Sequence, residues 1–557
     1  MEKIFKRPAV PITILLCVCW YLFFFQLGNL ALTDPDETFY AQTAKEMLRR
    51  GEWITPYLFD RPQFEKPIFF YWLVKVSFKL FGVNEFAARL PSAIFGSLGV
   101  IAIYYLGALF FGRRAGFFSA LILASNVEYI VLSRGCLTDM TLFSLMLIGV
   151  TLFFYGRDRG SAGRFILSSA AFGLATLTKG PIAIALPVMV FFAYSAFARG
   201  RAMLKKVPWL RTIAVFFLIT APWYMAIYLL YRKEFLEAFF GFQNITRFFE
   251  SEHKIGSQFY YNIPVMFAGF FPWSVFLPFG FWRIFKRTQC PILDTQSETA
   301  RRRSIFLLCW FLVIFLFFTV SSTKLPTYIF PCWISLALIV GVLWDELISG
   351  NAGRGVIFGF NISYCTLLSA IFLTAIGALI FIRYDYPEML GASSLSAVML
   401  IFGFIVSAAF FLKRMYLGSF SMIALAVMLF LYPVGRFVIP QIERHESSKE
   451  IARNLLRYMK PGEKLGSESH YLSGLAFYTD KVPVNMDPHH ILVQFLESEK
   501  RVWFVLKEKN HIQIYTLDTP PFCRRPSYAV YKLGKKVIAT NMVPDDGRYI
   551  IKRERKE

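Results

Sequence analysis

From Phe165 to Phe197 the chain reads FILSSAAFGLATLTKGPIAIALPVMVFFAYSAF. Two apolar stretches, near 162–178 and 181–197, flank the polar insert Thr178-Lys179-Gly180-Pro181. Each is close to the roughly 17–25 residues that a helix needs to cross a hydrocarbon core. The lysine between them has two readings. An ionisable residue at membrane depth is a functional candidate by default, and a lysine can also snorkel its ammonium to the headgroups over an apolar stem.

Working outward, similar apolar stretches lie near 11–32, 86–111, 115–132, 140–155, 212–230, 263–284, 305–320, 327–343, 356–381, 394–412 and 420–439. With the first pair they make about thirteen segments able to span a bilayer. The composition agrees: 56% hydrophobic and 18% aromatic over 557 residues is too apolar for a soluble globular chain. The fold class expected is a polytopic α-helical membrane protein. The first stretch reads as a transmembrane helix rather than a cleaved signal, because it is long enough to span and is followed by no small-residue cleavage site.

A formal charge of +23 invites a nucleic-acid partner, but the basic residues sit in short clusters between apolar runs, a topology signal. Alternate connections carry them: Lys3, Lys6 and Arg7; Arg113 and Arg114; Arg157, Arg159 and Arg164; Arg199, Arg201, Lys205, Lys206 and Arg211; Arg283, Lys286, Arg287 and Arg301–Arg303; Arg354; Lys413 and Arg414. No nucleic acid is expected; membrane lipids are. Cys17, Cys19, Cys309 and Cys365 lie inside apolar runs without metal-ligand spacing, where thiols act as small hydrophobes.

The opposite set of connections holds nearly every unusual polar motif. The segment 33–85 carries Asp34-Pro35-Asp36-Glu37 and Glu65-Lys66-Pro67, with two amphipathic interfacial helices expected over Glu37–Arg50 and Pro67–Leu80. The others are Leu137-Thr138-Asp139, Thr178-Lys179-Gly180, the loop 231–262 with Arg247, His253 and Lys254, and Lys324-Leu325-Pro326-Thr327-Tyr328. After about residue 440 hydropathy falls. A helix over Ser448–Tyr458, a turn at Pro461-Gly462 and strands over Val502–Lys507 and Tyr528–Lys532 predict a small α/β domain at 441–557, after a membrane domain at 1–440.

Each motif has a plain reading beside a chemical one. Asp34 as N-cap, Pro35 at N1 and Glu37 at the capping-box position make a good helix start; equally, Asp36 or Glu37 just outside the membrane can hold or deprotonate an acceptor. In Glu65-Lys66-Pro67 the residue before proline is extended, which splays a lysine suited to phosphate from a glutamate suited to a cation or sugar. Asp139 is either an N-terminal helix residue or a site acid. Lys179 has no carboxylate neighbour in sequence. Arg247, Lys324 and Tyr328 add donors for a lipid-linked phosphate. Glu65 with His253 would be a sparse pair for a divalent metal.

Asp36-Glu37-Thr38 with Tyr40-Ala41, Glu65-Lys66-Pro67 with Tyr71-Trp72, Ala87-Ala88-Arg89-Leu90-Pro91-Ser92, Leu137-Thr138-Asp139, Thr178-Lys179-Gly180-Pro181 and Lys324-Leu325-Pro326-Thr327-Tyr328 together resemble the C-type glycosyltransferase superfamily. Within it they look most like the aminoarabinose transferases that modify lipid A, relatives of the protein O-mannosyltransferases. The resemblance implies an inverting transfer of sugar from an undecaprenyl-phosphate donor to lipid A or another envelope acceptor, at the periplasmic face of a bacterial inner membrane. It implies that Asp36 and Asp139 face sugar and acceptor, that Glu65 helps hold a divalent metal, and that Lys66, Lys179, Arg247 and Tyr328 bind the carrier phosphate. Two departures stand out: Phe39 occupies a position where lipid A transferases often carry arginine, and His253 follows Arg247 instead of preceding it. A rival class, a transporter, would show polar residues deep in several spans and helix breaks repeated in two halves. Here the polar motifs concentrate on one face.

Overall fold

The structure, a computed structural model, describes residues 9–198, 206–239, 241, 258–289, 295–385, 387–441, 447–487, 489–511, 527–545 and 547–553. Arg247, His253 and Lys254, like Lys3, Lys6, Arg7, Arg199, Arg201 and Lys205, lie outside them.

The chain begins with α1 (Ala9–Cys19), followed by α2 (Asp36–Arg50), a short hairpin of β1 (Tyr57–Leu58) and β2 (Arg61–Pro62), and α3 (Phe69–Phe81). A long helical series comes next. It comprises α4 (Glu85–Phe111), α5 (Arg113–Ala124), α6 (Val127–Ser133), α7 (Thr138–Arg159), α8 (Ala162–Lys179), α9 (Ile182–Phe197), α10 (Trp209–Phe235), α11 (Asn262–Gly269), α12 (Leu277–Gln289), α13 (Thr295–Val320), α14 (Trp333–Ile348), α15 (Arg354–Asp385), α16 (Leu390–Leu412) and α17 (Tyr416–Pro433). The last part holds α18 (Ser448–Tyr458), β3 (Lys464–Ser467), α19 (Leu472–Thr479), β4 (Val484–Asn485), α20 (His489–Leu496), β5 (Val502–Lys507), β6 (Ser527–Leu533), β7 (Lys536–Thr540) and β8 (Ile551–Arg553).

Among the described residues eight helices are long and apolar enough to cross a membrane, or ten if each of two bent pairs is one span. The protein is a multi-pass membrane protein. The thirteen segments expected from sequence all coincide with helices, and the lower number has a physical reason. The apolar helices Ala9–Phe24 and Ile182–Phe197 are short, and α8 carries Arg164, Lys179 and the hydroxyls of Ser168, Ser169, Thr176 and Thr178. The bend of 69° between α5 and α6 is built by Asn126. Its amide donates back to Leu123 O at 2.7 Å, while its Oδ1 accepts from Tyr129 N and Trp333 Nε1, both at 3.0 Å. Side-chain bonding of this kind replaces the helical ladder where it breaks.

Contacts divide the chain into two compact units: Met1–Leu27, Phe64–Leu73 and Arg89–Val434 form the first, and Gly28–Gln63, Val74–Ala88 and Gly435–Glu557 the second. In the first, the buried indoles of Trp273 and Trp344 pack with Phe276, Phe360 and Phe420, and that of Trp333 with Phe270 and Phe330. Where α5 meets α14, a Cβ on Gly341 would lie 2.8 Å from the backbone nitrogen of Ser119; small residues let membrane helices approach this closely.

The second unit is a six-stranded mixed sheet ordered β4-β3-β5-β7-β6-β8. The strands β4, β3 and β5 run parallel and the remaining pairs antiparallel. Side chains alternate along β5: Trp503 and Val505 join Ile451, Leu455 and Leu475 on one face, and Val502, Phe504 and Leu506 join Leu492 and Phe495 on the other. Helix α2 belongs to this unit. It is buried at nearly every position from Glu37 to Met47, more than one amphipathic face requires. Thr38 Oγ1 meets Ser473 Oγ at 2.9 Å, Lys45 pairs with Asp480 at 2.5 Å, and Glu46 accepts from Phe59 N at 3.0 Å and Asp60 N at 3.2 Å.

The helix start differs from the cap expected. Asp34 does not cap α2: it accepts from Thr38 Oγ1 at 3.1 Å and from the backbone N of Ser448 at 3.3 Å and the Ser448 hydroxyl. Burial pushes the Asp34 carboxyl up to about 6, against the pull of its bond to Ser448 and the charge of Lys536. The reach back to the turn is made by Glu37, whose Oε2 accepts from Thr33 N at 2.9 Å, as in a capping box.

Candidate functional site

Successive spanning helices run antiparallel, so the start of α7, the end of α8, the start of α9 and the end of α13 reach the same end of the helical unit. There they surround a cavity of about 170 Å³ whose polar lining includes Glu65, Lys66, Asp139, Lys179 and Tyr328. All its lining residues belong to the first unit. Helix packing sets this geometry. Asp139 stands in the first turn of α7 and Lys179 at the last position of α8, the ends at which the helix dipole favours an acid and a base respectively.

Lys179 Nζ meets Asp139 Oδ1 at 2.6 Å, with the two side chains only 17% and 11% exposed. This corrects the view of Lys179 as lacking a carboxylate: its partner is forty residues away in sequence. The same ammonium stands 5.8 Å from the centre of the Tyr328 ring, which packs at a tilt against Phe318, 5.3 Å between ring centres. Lys66 Nζ turns back to the Glu65 carbonyl at 3.2 Å. Two cations, two carboxylates and a phenol thus line a space whose apolar wall includes Leu142, Leu186, Phe239, Phe317 and Phe330. Such a chamber suits an ionic headgroup on an apolar tail.

Five sequence candidates therefore meet in one cavity. Lys324 is buried on the neighbouring turn but is not among the lining residues. Asp36 and Glu37 belong to the second unit, where Glu37 is engaged with the Thr33 backbone. Arg247 and His253 lie outside the described residues. Among the described residues no group of three His, Cys, Asp or Glu side chains could hold a metal; of the pair Glu65 and His253, only Glu65 is described. Sequence reasoning missed the aromatic wall. Phe317 and Phe318 look like ordinary span residues, and only their position just before Ser321 and the Lys324–Tyr328 motif marks them.

The sequence profile of the dolichyl-phosphate-mannose-protein mannosyltransferase family matches residues 65–225, the stretch that supplies Glu65, Lys66, Asp139 and Lys179. An undecaprenyl phosphate-alpha-4-amino-4-deoxy-L-arabinose arabinosyl transferase of Pectobacterium carotovorum is 32% identical over 426 residues, covering 72% of this chain and 71% of its own. A protein of the same description from Pseudomonas fluorescens is 30% identical over 448 residues, covering 77% and 74%. In three dimensions the chain resembles ArnT from Cupriavidus metallidurans, solved bound to undecaprenyl phosphate. The TM-score is 0.78 and the identity 22%, over 95% of this chain and 98% of that one.

Proposed function

The chain belongs to the undecaprenyl phosphate-alpha-4-amino-4-deoxy-L-arabinose arabinosyl transferase family, and from that premise we propose that it transfers 4-amino-4-deoxy-L-arabinose from undecaprenyl phosphate to a phosphate of lipid A. The observation that carries this reading is the cavity joining Lys66, Lys179 and Tyr328 to Asp139 and Glu65. The enzyme sits in the bacterial inner membrane with this cavity at the periplasmic face, the side opposite the arginine-rich loops.

Chemistry assigns the roles. The carrier phosphate enters against Lys66 and Lys179, which neutralise it, and Tyr328 donates to one of its oxygens. Lys179 is held ready by Asp139 and exchanges that carboxylate for the incoming phosphate. Asp139 and Glu65 then face the sugar, whose 4-amino group is a cation that a carboxylate pair attracts. An oxygen of the acceptor phosphate attacks the anomeric carbon as the bond from that carbon to the carrier phosphate oxygen breaks. The electron pair leaves with the undecaprenyl phosphate, on which the two lysines stabilise the added charge. An acceptor that is already an anion brings no proton to remove, so the gain comes from positioning and charge neutralisation. Displacement from the opposite face inverts the anomeric centre.

The test is transfer by the purified full-length protein, supplied with the lipid-linked aminosugar and either lipid A or a Ser/Thr-containing peptide. Product on lipid A with inverted anomeric configuration by NMR supports the reading, and product on the peptide alone rejects it.

A further inference from the structure

A second, larger cavity of about 650 Å³ opens among α7, α8, α9 and α10. It shares no lining residue with the transfer cavity and extends along α9 from Ile184 to the other end of these helices from the site. Phe153 on its wall is fourteen residues beyond Asp139 along α7, about 21 Å at 1.5 Å per residue. Its surface is almost wholly apolar, and its mouth is edged by side chains left open to the surroundings: Val188 is 52% exposed, Phe192 80%, Ile213 50% and Phe217 57%. Three of its hydroxyls offer little to a polar guest, because they serve the helices themselves. Ser168 Oγ donates to Gly149 O at 2.7 Å, Ser169 Oγ to Thr212 O at 2.5 Å, and Thr212 Oγ1 to Trp209 O at 3.0 Å. A sugar or nucleotide would find few polar partners there, whereas a hydrocarbon chain needs none.

The rim at the same end has the opposite character. Arg164 immediately precedes the wall residue Phe165, Lys206 precedes Val207, and Arg211 precedes Thr212; Lys206 and Arg211 are exposed. The nearby acid Asp158 is already matched by Arg157 at 3.8 Å and Arg303 at 3.5 Å, so it does not cancel this charge. Trp209, half exposed at the start of α10, marks the headgroup level at which indoles collect. An apolar slot within the hydrocarbon region topped by cations at headgroup level is complementary to one kind of molecule.

From this juxtaposition we infer that the α8–α9–α10 groove is a binding site for an anionic phospholipid of the arginine-rich leaflet, acyl chain in the slot and phosphate beside Lys206 and Arg211. Basic residues near a membrane surface favour anionic lipid. The site is separate from the transfer cavity and does not depend on the transfer reaction.

Native mass spectrometry of the full-length protein in detergent, titrated with phosphatidylglycerol or phosphatidylethanolamine, tests it. The wild type should retain phosphatidylglycerol at least fivefold better. Lys206→Gln with Arg211→Gln should erase that preference while zwitterionic lipid still binds. Ser195→Phe on α9 and Ile213→Trp on α10, which fill the slot from two helices, should each cut retention of both lipids at least threefold, with the melting temperature reporting whether each variant is folded. Equal retention of the two lipids by the wild type overturns the inference. So does unchanged retention in both folded slot variants, or displacement of the lipid by undecaprenyl phosphate, which would make the groove part of the donor's path.

Discussion

The Asp139–Lys179 pair gives the sharpest test of how the transfer site is built. At 2.6 Å the bare attraction is about 6 kcal/mol at an effective dielectric of ~20, much of it cancelled by the desolvation of two nearly enclosed charges. Replacing Asp139 by Asn or Lys179 by Met leaves the other charge uncompensated. Each single change should cost about 2–3 kcal/mol, below the value for a fully buried pair because both groups keep some access to water. In the double variant neither charge remains, and most of that loss should return, so the losses of the two single variants should fall far short of adding. Thermal melting in detergent should show each single variant several degrees below wild type and the double variant close to it. Transfer should behave differently: with the lysine gone the carrier phosphate loses a charge-assisted bond, so Lys179→Met and the double variant should both fall at least ~10-fold in kcat/KM. If the melting losses of the singles simply add in the double variant, the ion pair does not hold the site together. If the double variant transfers sugar at the wild-type rate, Lys179 does not bind the donor.

Lys66→Ala should lower kcat/KM for the lipid-linked donor ~10–100-fold, the equivalent of one charge-assisted hydrogen bond, with the melting temperature almost unchanged; steady-state kinetics at fixed lipid A checks this. Glu37→Gln should act mainly on the melting temperature, because the Glu37 carboxylate holds the Thr33 N–H; a loss of kcat at an unchanged melting temperature would reject this structural role. Asp34 predicts a pH effect. Its carboxyl moves from 3.8 to about 6 on folding, so between about pH 4 and pH 6 the folded state holds a proton that the unfolded state has released. Stability should therefore fall as pH rises through that window, by at most about 3 kcal/mol, and stay lower above it. Asp34→Asn should flatten the melting temperature across pH 4–6, and an unchanged slope would show that another group titrates there.

What could be read from the sequence followed the strength of local periodicity. The helix at Ser448–Tyr458 and the strand at Val502–Lys507 have the bounds expected, since one repeats apolar residues at helical spacing and the other is a short buried run. Helices α19 and α20, eight residues each, are too short to show a period and went unread. The site was legible in its members and not in its pairings. Lysine and aspartate beside apolar spans are conspicuous because they are costly there, yet nothing local says that Lys179 faces Asp139, or that Asp34 bonds to Ser448 across 414 positions. Both partnerships are made by packing: α7 lies along α8, and Gly474 clears room for the Asp34 carboxylate, since a Cβ there would lie 2.0 Å from Oδ1. A capping motif such as Asp34-Pro35-Asp36-Glu37 is thus a competition that local spacing cannot decide. The second unit offers Asp34 the amide and hydroxyl of Ser448, and the cap falls to Glu37, whose carboxylate accepts from Thr33 N.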